Sequence, residues 1–264
     1  MDLQLQDKTA LVTGSTAGIG FAIAERLAAE GATVVINGRT QERVDAAMAS
    51  ITDKLAGAKL RGIAADVSTA AGVKALVAQL PDVDILVNNV GIFGAKDFVE
   101  ISDEDWQSVF DVNVMSAVRL TRHYLPGMKA RNSGRLIYMS SESGTNIPVE
   151  MIHYGLSKTA LIALAAGVAK DCAQTGITAN SILAGPTWSE GVSTFVGELA
   201  EDKGITPEEM EQEFFRSARP TSLLQRFIKP EEIANIVAYT ASPLSSATTG
   251  AALRVEGGLL ITLP

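Results

Sequence analysis

Tyr154 and Lys158 stand four residues apart in the stretch HYGLSK, near the start of a long Ala- and Leu-rich segment. On a helix that spacing puts the two side chains on one face, a turn apart. A phenol beside an ammonium group is a proton donor whose acidity the cation tunes. An unperturbed tyrosine titrates near about 10, and a neighbouring positive charge favours the phenolate. Such a pair suits ketone reduction, in which hydride arriving at carbon leaves negative charge on oxygen for a proton donor and a second hydrogen-bond donor to meet. Run in reverse, the same groups oxidise an alcohol. Either direction needs a hydride carrier bound alongside.

A site for one is legible near the N-terminus. The strand-like KTALVT (8–13) runs into TGSTAGIG, with Gly14, Gly18 and Gly20 at the turn and a helix expected from Gly18. Glycines let the backbone approach a pyrophosphate, and the free N–H groups of a helix start favour its negative charge. A glycine-rich turn between the first strand and the first helix is the context a dinucleotide fingerprint demands. The second strand ends INGRT. Gly38 offers no carboxylate to repel a phosphate, and Arg39 can form paired charge-assisted hydrogen bonds to one, so NADP(H) is expected over NAD(H).

Short β-branched runs at 8–13, 32–37, 59–64, 84–88, 134–139, 177–182 and 251–255 read as strands, most of them apolar on both faces. Between them 18–30, 40–56, 69–80, 102–131, 148–174 and 230–241 carry apolar residues at helical spacing. Ser102 before acids, and Lys229-Pro230-Glu231-Glu232, are start signals. Six βα units and a last strand predict an α/β Rossmann fold, a doubly wound seven-stranded parallel sheet, in one domain over 1–264. The long insertion 186–228 falls at the carboxyl edge of the sheet and reads as a substrate lid of two short helices.

Composition narrows the partners. Of 264 residues, 47% are hydrophobic and 20% charged, ordinary for a folded domain. Twenty-two basic against 30 acidic side chains give a net charge of -8, which argues against nucleic acid or an anionic membrane and for a small-molecule ligand. One cysteine, Cys172, cannot form an internal disulfide, and MDLQLQDK lacks the basic-then-apolar pattern of a leader, so a cytoplasmic protein is expected. The apolar run TALIALAAGVA (159–169) is flanked by Lys158 and Lys170 and too short to span a membrane. Two histidines, His123 and His153, both expected to be packing or surface residues, leave no ligand set for a metal.

Taken in order, TGSTAGIG, NNVG (88–91), Asn113 in DVNV, the serine pair in MSSES and YGLSK resemble the short-chain dehydrogenase/reductase family, including its bacterial 3-oxoacyl-carrier-protein reductase-like members. The likeness runs from about residue 7 to residue 260. It implies an NADP(H)-dependent oxidoreductase acting on CH–OH groups, with Asn113, Ser141, Tyr154 and Lys158 as catalytic tetrad. Ser141 is selected over Ser140 because the family's serine lies 13 residues before its tyrosine. Lys158 would also bind the nicotinamide ribose, and Asn113 would hold a water leading to it. The implied cofactor contacts are Gly14, Ser15, Thr16, Gly18, Ile19 and Gly20 at the phosphates, with Asn37 and Arg39 after them. Asp66 and Val67 would meet the adenine, Asn88, Val90 and Gly91 the ribose side, and Gly185, Thr187 and Ser189 the nicotinamide amide. Val90, Ala184, Ser189 and Glu256 depart from common family residues without touching the tetrad.

For the substrate, Ser141, Glu142, Ser143, Phe93 and Trp188 are the expected contacts, with Ile92, Ile147 and Phe195 around them. Glu142 reads either as a hydroxyl or ammonium binder or as a solvent-facing carboxylate. Relatives that reduce a carrier-protein substrate dock it through basic residues, one of them at the position of Thr175 here, whereas Lys129 and Arg131 remain. A free carbonyl or alcohol is therefore expected, and a non-enzymatic NADP-binding sensor is the reading of a different class. The family's habit implies a homotetramer joined through 102–131, 148–174 and the last strand.

Overall fold

Apolar runs on both faces of a strand must be covered on both faces, and the chain does this with helices on either side of one sheet. The computed structural model describes residues 1–261, apart from the side chains of residues 190, 191, 194, 195, 198, 199 and 202. Phe195, expected in the pocket, is thus outside the described side chains.

Seven parallel strands lie in the order 3-2-1-4-5-6-7. They are β1 (Thr9–Val12), β2 (Thr33–Gly38), β3 (Leu60–Ala64), β4 (Ile85–Asn88), β5 (Gly134–Ser141), β6 (Ile177–Ala184) and β7 (Ala252–Val255). The helices are α1 (Gly18–Ala29), α2 (Gln41–Lys54), α3 (Ala70–Gln79), α4 (Asp103–Phe110), α5 (Ser116–Ala130), α6 (Ile152–Asp171), α7 (Glu190–Lys203), α8 (Pro207–Ser217) and α9 (Pro230–Ala241). Every expected strand is present.

Alternation along each strand sends neighbouring residues to opposite cores. Val12, Ile36, Val87 and Ile137 face one, with Ile23 and Leu27 of α1 and Val237 of α9. Leu11, Val35, Leu86 and Leu136 face the other, with Leu76 of α3, Leu120 and Tyr124 of α5, and Leu161 of α6. Because β1 pairs with both β2 and β4, the chain reverses its winding there, and a crevice opens beyond the carboxyl ends of those strands.

Two helices differ from their sequence reading. The segment 102–131 is not one helix: a π-helical turn, Asp111–Met115, separates α4 from α5 and carries Asn113. Such turns insert one residue into the helical ladder and recur at functional sites. In 148–174 the regular helix begins only at Ile152, after a 3-10 turn at Val149–Met151. The stretch Val149–Asp171 is long and apolar enough to cross a membrane by length and composition, yet α6 lies against β5 and β6 with Leu161 and Ala165 in the core.

The insertion does form two helices, with a small core of its own from Val196, Ala200, Met210, Phe215 and Phe227. Gly204 ends α7 at φ 66°, a left-handed conformation that glycine adopts without strain. Thr206 and Glu209 then start α8 by exchanging side-chain and backbone hydrogen bonds, with Pro207 in the first turn.

Candidate active site

The glycine turn is a built cradle. Gly14 and Gly18 have φ of 62° and 57°, where a side chain would be strained. A Cβ on Gly20 would collide with the carbonyl oxygen of Gly14 and with Asn89 Nδ2. Asn89 is a residue the sequence reading passed over: its Nδ2 donates to the carbonyls of Thr13 and Gly14 at 2.9 and 3.1 Å. α1 starts after Ala17 with no side-chain cap and no acid in its first turn, so its leading N–H groups face the crevice unclaimed by any side chain.

Ser15 and Asn37 serve this cradle from behind. Ser15 Oγ donates to the Val12 carbonyl at 2.7 Å and accepts from Asn37 N–H at 3.0 Å. Asn37 Nδ2 donates to the carbonyls of Ile63 and Ala65, both at 3.1 Å, and its Oδ1 accepts from Gly14 N–H. Both side chains are buried and turned inward, which leaves their main chains to meet a cofactor. Val67 likewise buries its side chain in the core, whereas Asp66 beside it is exposed.

Asn88, at the end of β4, behaves differently. It is 4% exposed and neither its Nδ2 nor its Oδ1 has a partner among the described residues. A buried amide without partners is costly, so one facing the crevice is set for a ligand. A dinucleotide fits this set: an uncapped helix start, a cradle that no side chain can fill, and an unsatisfied amide. Thr187 and Ser189 lie across from it, with Ser189 Cβ 3.4 Å from where a Gly18 Cβ would be. Their hydroxyls are engaged locally, Thr187 with the Gly185 carbonyl and Ser189 with Val192 N–H at the start of α7. Gly185 is packed against the Glu256 backbone, where a Cβ would come within 2.7 Å.

β5 and α6 bring the proton-transfer residues together. Ser141, at the end of β5, bears on the Tyr154 phenol and favours its ionised form, whereas Ser140 Oγ donates to the Lys158 carbonyl at 2.8 Å. Ser141 Oγ also accepts from Ser143 N–H at 3.1 Å. Phe93 covers the Tyr154 ring edge-on at 6.2 Å. Lys158 is buried, lies 5.5 Å from the centre of the Tyr154 ring, and donates to the Met139 carbonyl at 2.9 Å.

The acidity of this pair departs from the sequence reading. Burial pushes the Tyr154 phenol up to about 12, against the lowering by the nearby Ser141 hydroxyl, and pushes Lys158 down to about 8. The lysine is bonded to the Met139 carbonyl instead of the phenol, so desolvation outweighs the expected tuning. Tyr154 thus keeps its proton throughout the neutral range, the state a general acid needs.

Asn113 uses its whole amide on the scaffold. Its Oδ1 accepts from Ile92 N–H at 2.7 Å, and its Nδ2 donates to the Ile92 carbonyl and to Ser157 Oγ, both at 2.9 Å. The π turn therefore fastens the loop after β4 to α6. At Gly91, in that loop, a Cβ would lie 3.3 Å from both Asn113 Oδ1 and Lys158 Nζ. The gap that Gly91 leaves is thus bordered by both of them.

One of the two readings of Glu142 is excluded. Glu142 does not face solvent: it is 3% exposed, and Arg219, just after α8, donates through Nε to its Oε1 at 3.1 Å. Burial raises the Glu142 carboxyl above its ordinary range despite Ser143 and Arg219. Trp188 is 39% exposed on a groove along α1 and α9, lined also by Phe21, Glu25 and Lys54, and packs at a tilt against Phe227 at 5.2 Å. His153 is a packing residue, edge-on to Trp106 at 5.9 Å. Among the described residues no group of His, Cys, Asp and Glu can hold a metal.

Comparison with known proteins agrees with this geometry. A family model described as short chain dehydrogenase matches residues 8–197. The uncharacterized oxidoreductase YvrD of Bacillus subtilis is 46% identical over the full length of both chains. The 3-oxoacyl-[acyl-carrier-protein] reductase of Aquifex aeolicus is 34% identical, covering 98% of this chain and 100% of its own. Among solved structures, L-sorbose reductase from Gluconobacter frateurii, complexed with NADPH and L-sorbose, superposes with a TM-score of 0.94 at 34% identity over all of both chains. With that fold, that cradle and a tyrosine–lysine pair at its mouth, the chain belongs to the short-chain dehydrogenase family and is an oxidoreductase of the nicotinamide-dependent kind.

Proposed function

We propose that this protein is an NADP(H)-dependent reductase of small-molecule carbonyl compounds, with Tyr154 as the general acid. The observation that carries the reading is the Tyr154 phenol, with Lys158 Nζ 5.5 Å from its ring centre and Phe93 covering it, beside a crevice shaped for a dinucleotide. A bound dihydronicotinamide would supply the hydride. Tyr154 would give its proton to the developing alkoxide, Ser141 would donate a second hydrogen bond to the same oxygen, and Lys158 would supply positive charge behind them. Asn113 positions the loop that carries Ile92.

Preference for the 2'-phosphate rests on the end of β2. A Cβ at Gly38 would come within 2.5 Å of Thr16 Cγ2, so no carboxylate can stand there. Arg39 is exposed beside it, with no ion pair among the described residues. Replacing Arg39 by Ala is expected to weaken NADPH binding roughly 10- to 100-fold, the range for losing hydrogen bonds to a charged group, while NADH binding stays within about twofold. Fluorescence titration with each cofactor, followed by NADPH oxidation against a carbonyl panel, tests the whole reading. Preference for NADH in the wild type would remove the role given to Arg39, and tight NADPH binding without turnover would favour a sensor.

The second reading, reduction of a carrier-protein substrate, has the Aquifex relative in its favour. Against it, Lys129 is paired with Asp171 at 2.7 Å and Arg131 with Asp82 at 2.5 Å, so neither cation is free for an acidic partner. We infer a homotetramer from α6, which is apolar nearly all round while only one face meets the sheet, leaving Leu156 44% exposed. Light scattering at micromolar concentration is expected to give four times the 27.7 kDa chain mass, and one chain mass would overturn it.

A further inference from the structure

The Glu142–Arg219 pair goes beyond what proton transfer requires. Glu142 directly follows Ser141, and its charge bears on Tyr154. Its Oε1 accepts from Arg219 Nε, but its Oε2 is buried without a partner among the described residues. Arg219 side-chain exposure is 10%, and Nη1 is taken by the Ala218 carbonyl at 2.8 Å and by Glu150 Oε1 at 3.5 Å. Nη2 has no partner among the described residues. Arg219 lines a cavity of about 530 Å³ whose other walls include Asn146, Glu150, Ser217 and Thr221. A buried acceptor and a donor, neither with a protein partner among the described residues, thus stand on one ion pair whose Arg219 end lines the cavity and whose Glu142 end adjoins Ser141.

We propose that this pair is a hydroxyl-reading clasp and that the substrate is a polyhydroxylated carbonyl compound. Glu142 Oε2 accepts from one substrate hydroxyl, and Arg219 Nη2 donates to the oxygen of a neighbouring one. The proposal rests on the reductase reading and adds the substrate class to it. A carboxylate substrate is disfavoured, because Arg219 already faces Glu142 and Glu150. An ammonium substrate would compete with Arg219 for one carboxylate while finding a single acceptor for three N–H donors. An alkyl chain would leave the buried Glu142 Oε2 unmet, a costly outcome. Neutral hydroxyls satisfy the acceptor and the donor together. Recognition of this kind discriminates strongly, since a site built to bond hydroxyls rejects the analogue that lacks them.

Paired substrates test the clasp in the full-length protein. NADPH oxidation is followed with ketopentoses and ketohexoses against 2-pentanone and 2-hexanone. Wild type is expected to favour the polyhydroxylated member of each pair about 100-fold or more in kcat/KM. Glu142→Gln and Arg219→Lys are each expected to narrow that ratio roughly 10-fold or more. Equal or better use of the alkanones by wild type overturns the clasp, as does a ratio unmoved in both variants. Should neither series be reduced, the reductase reading fails, and calorimetry of a ketohexose on the NADP+-saturated protein decides the clasp alone. Binding weakened about 10-fold in both folded variants supports it, and no binding, or binding equal in all three proteins, overturns it.

Discussion

Tyr154→Phe is expected to keep the fold and the NADPH affinity of the wild type and to lose about 10²- to 10⁴-fold in turnover, the range for removing a general acid. The change deletes one oxygen and keeps the ring that packs edge-on to Phe93. What it removes is the phenolic proton, which burial keeps in place above neutral pH. Ser141 alone can still donate a hydrogen bond to the carbonyl but cannot give up a proton near pH 7. Measurement requires two readouts on one preparation: fluorescence titration with NADPH, and steady-state NADPH oxidation. Loss of turnover together with loss of binding would point to the cofactor site instead, and a loss below about tenfold would remove Tyr154 from the chemistry.

Lys158→Met is expected to do two opposite things: abolish most turnover and stabilise the cofactor-free protein by up to roughly 3 kcal/mol at pH 7, since one pKa unit corresponds to about 1.4 kcal/mol. Burial lowers the Lys158 pKa from 10.5 to about 8. Below about 8 both folded and unfolded chains carry the charge, and the folded chain bears its full desolvation penalty. Between about 8 and 10.5 the unfolded chain binds the extra proton, so stability from this group rises with pH. Methionine matches the lysine stem in length and has no charge to desolvate. The advantage of the variant should therefore be largest near neutrality and shrink as pH climbs from 8 towards 10. Tyr154, Tyr124 and Tyr138, whose phenols burial raises, weaken the fold only at higher pH and are common to both proteins. Urea midpoints for the pair at pH 7 and pH 10 check it. A variant no more stable at pH 7, or equally favoured at both, would refute the account.

The two predictions concern residues that spacing alone made visible. Tyr154 and Lys158 are a turn apart on one helix, and the glycine turn lies between the first strand and the first helix, so local rules reach them. All seven strands were legible for the same reason: β-branched runs of ordinary length, apolar on both faces. What could not be read depends on contacts far apart in the chain. Arg219 meets Glu142 across 77 residues, and nothing in SARP distinguishes an arginine that folds back from one that stays in water. Asn113 broke the helix read across 102–131 because its amide is drawn to Ile92 and Ser157, and no periodicity records that pull. Ser15 and Asn37 were assigned to the cofactor as members of a motif, while the structure turns them inward to carbonyls of β1 and of the β3 end. Trp188 packs against Phe227, 39 residues further along the chain, a contact invisible in its own surroundings.

The hydrogen bonds beneath the glycine turn have a thermodynamic consequence for the cofactor. Thr13, Ser15, Asn37 and Asn89 hold the loop to three strands through bonds made without any ligand. Its conformational entropy is therefore surrendered when the chain folds and not when the dinucleotide arrives. Three glycines and the small side chains between them, which in isolation would wander, meet the pyrophosphate as a rigid surface, and the free energy of each new N–H contact is available for affinity undiminished by ordering.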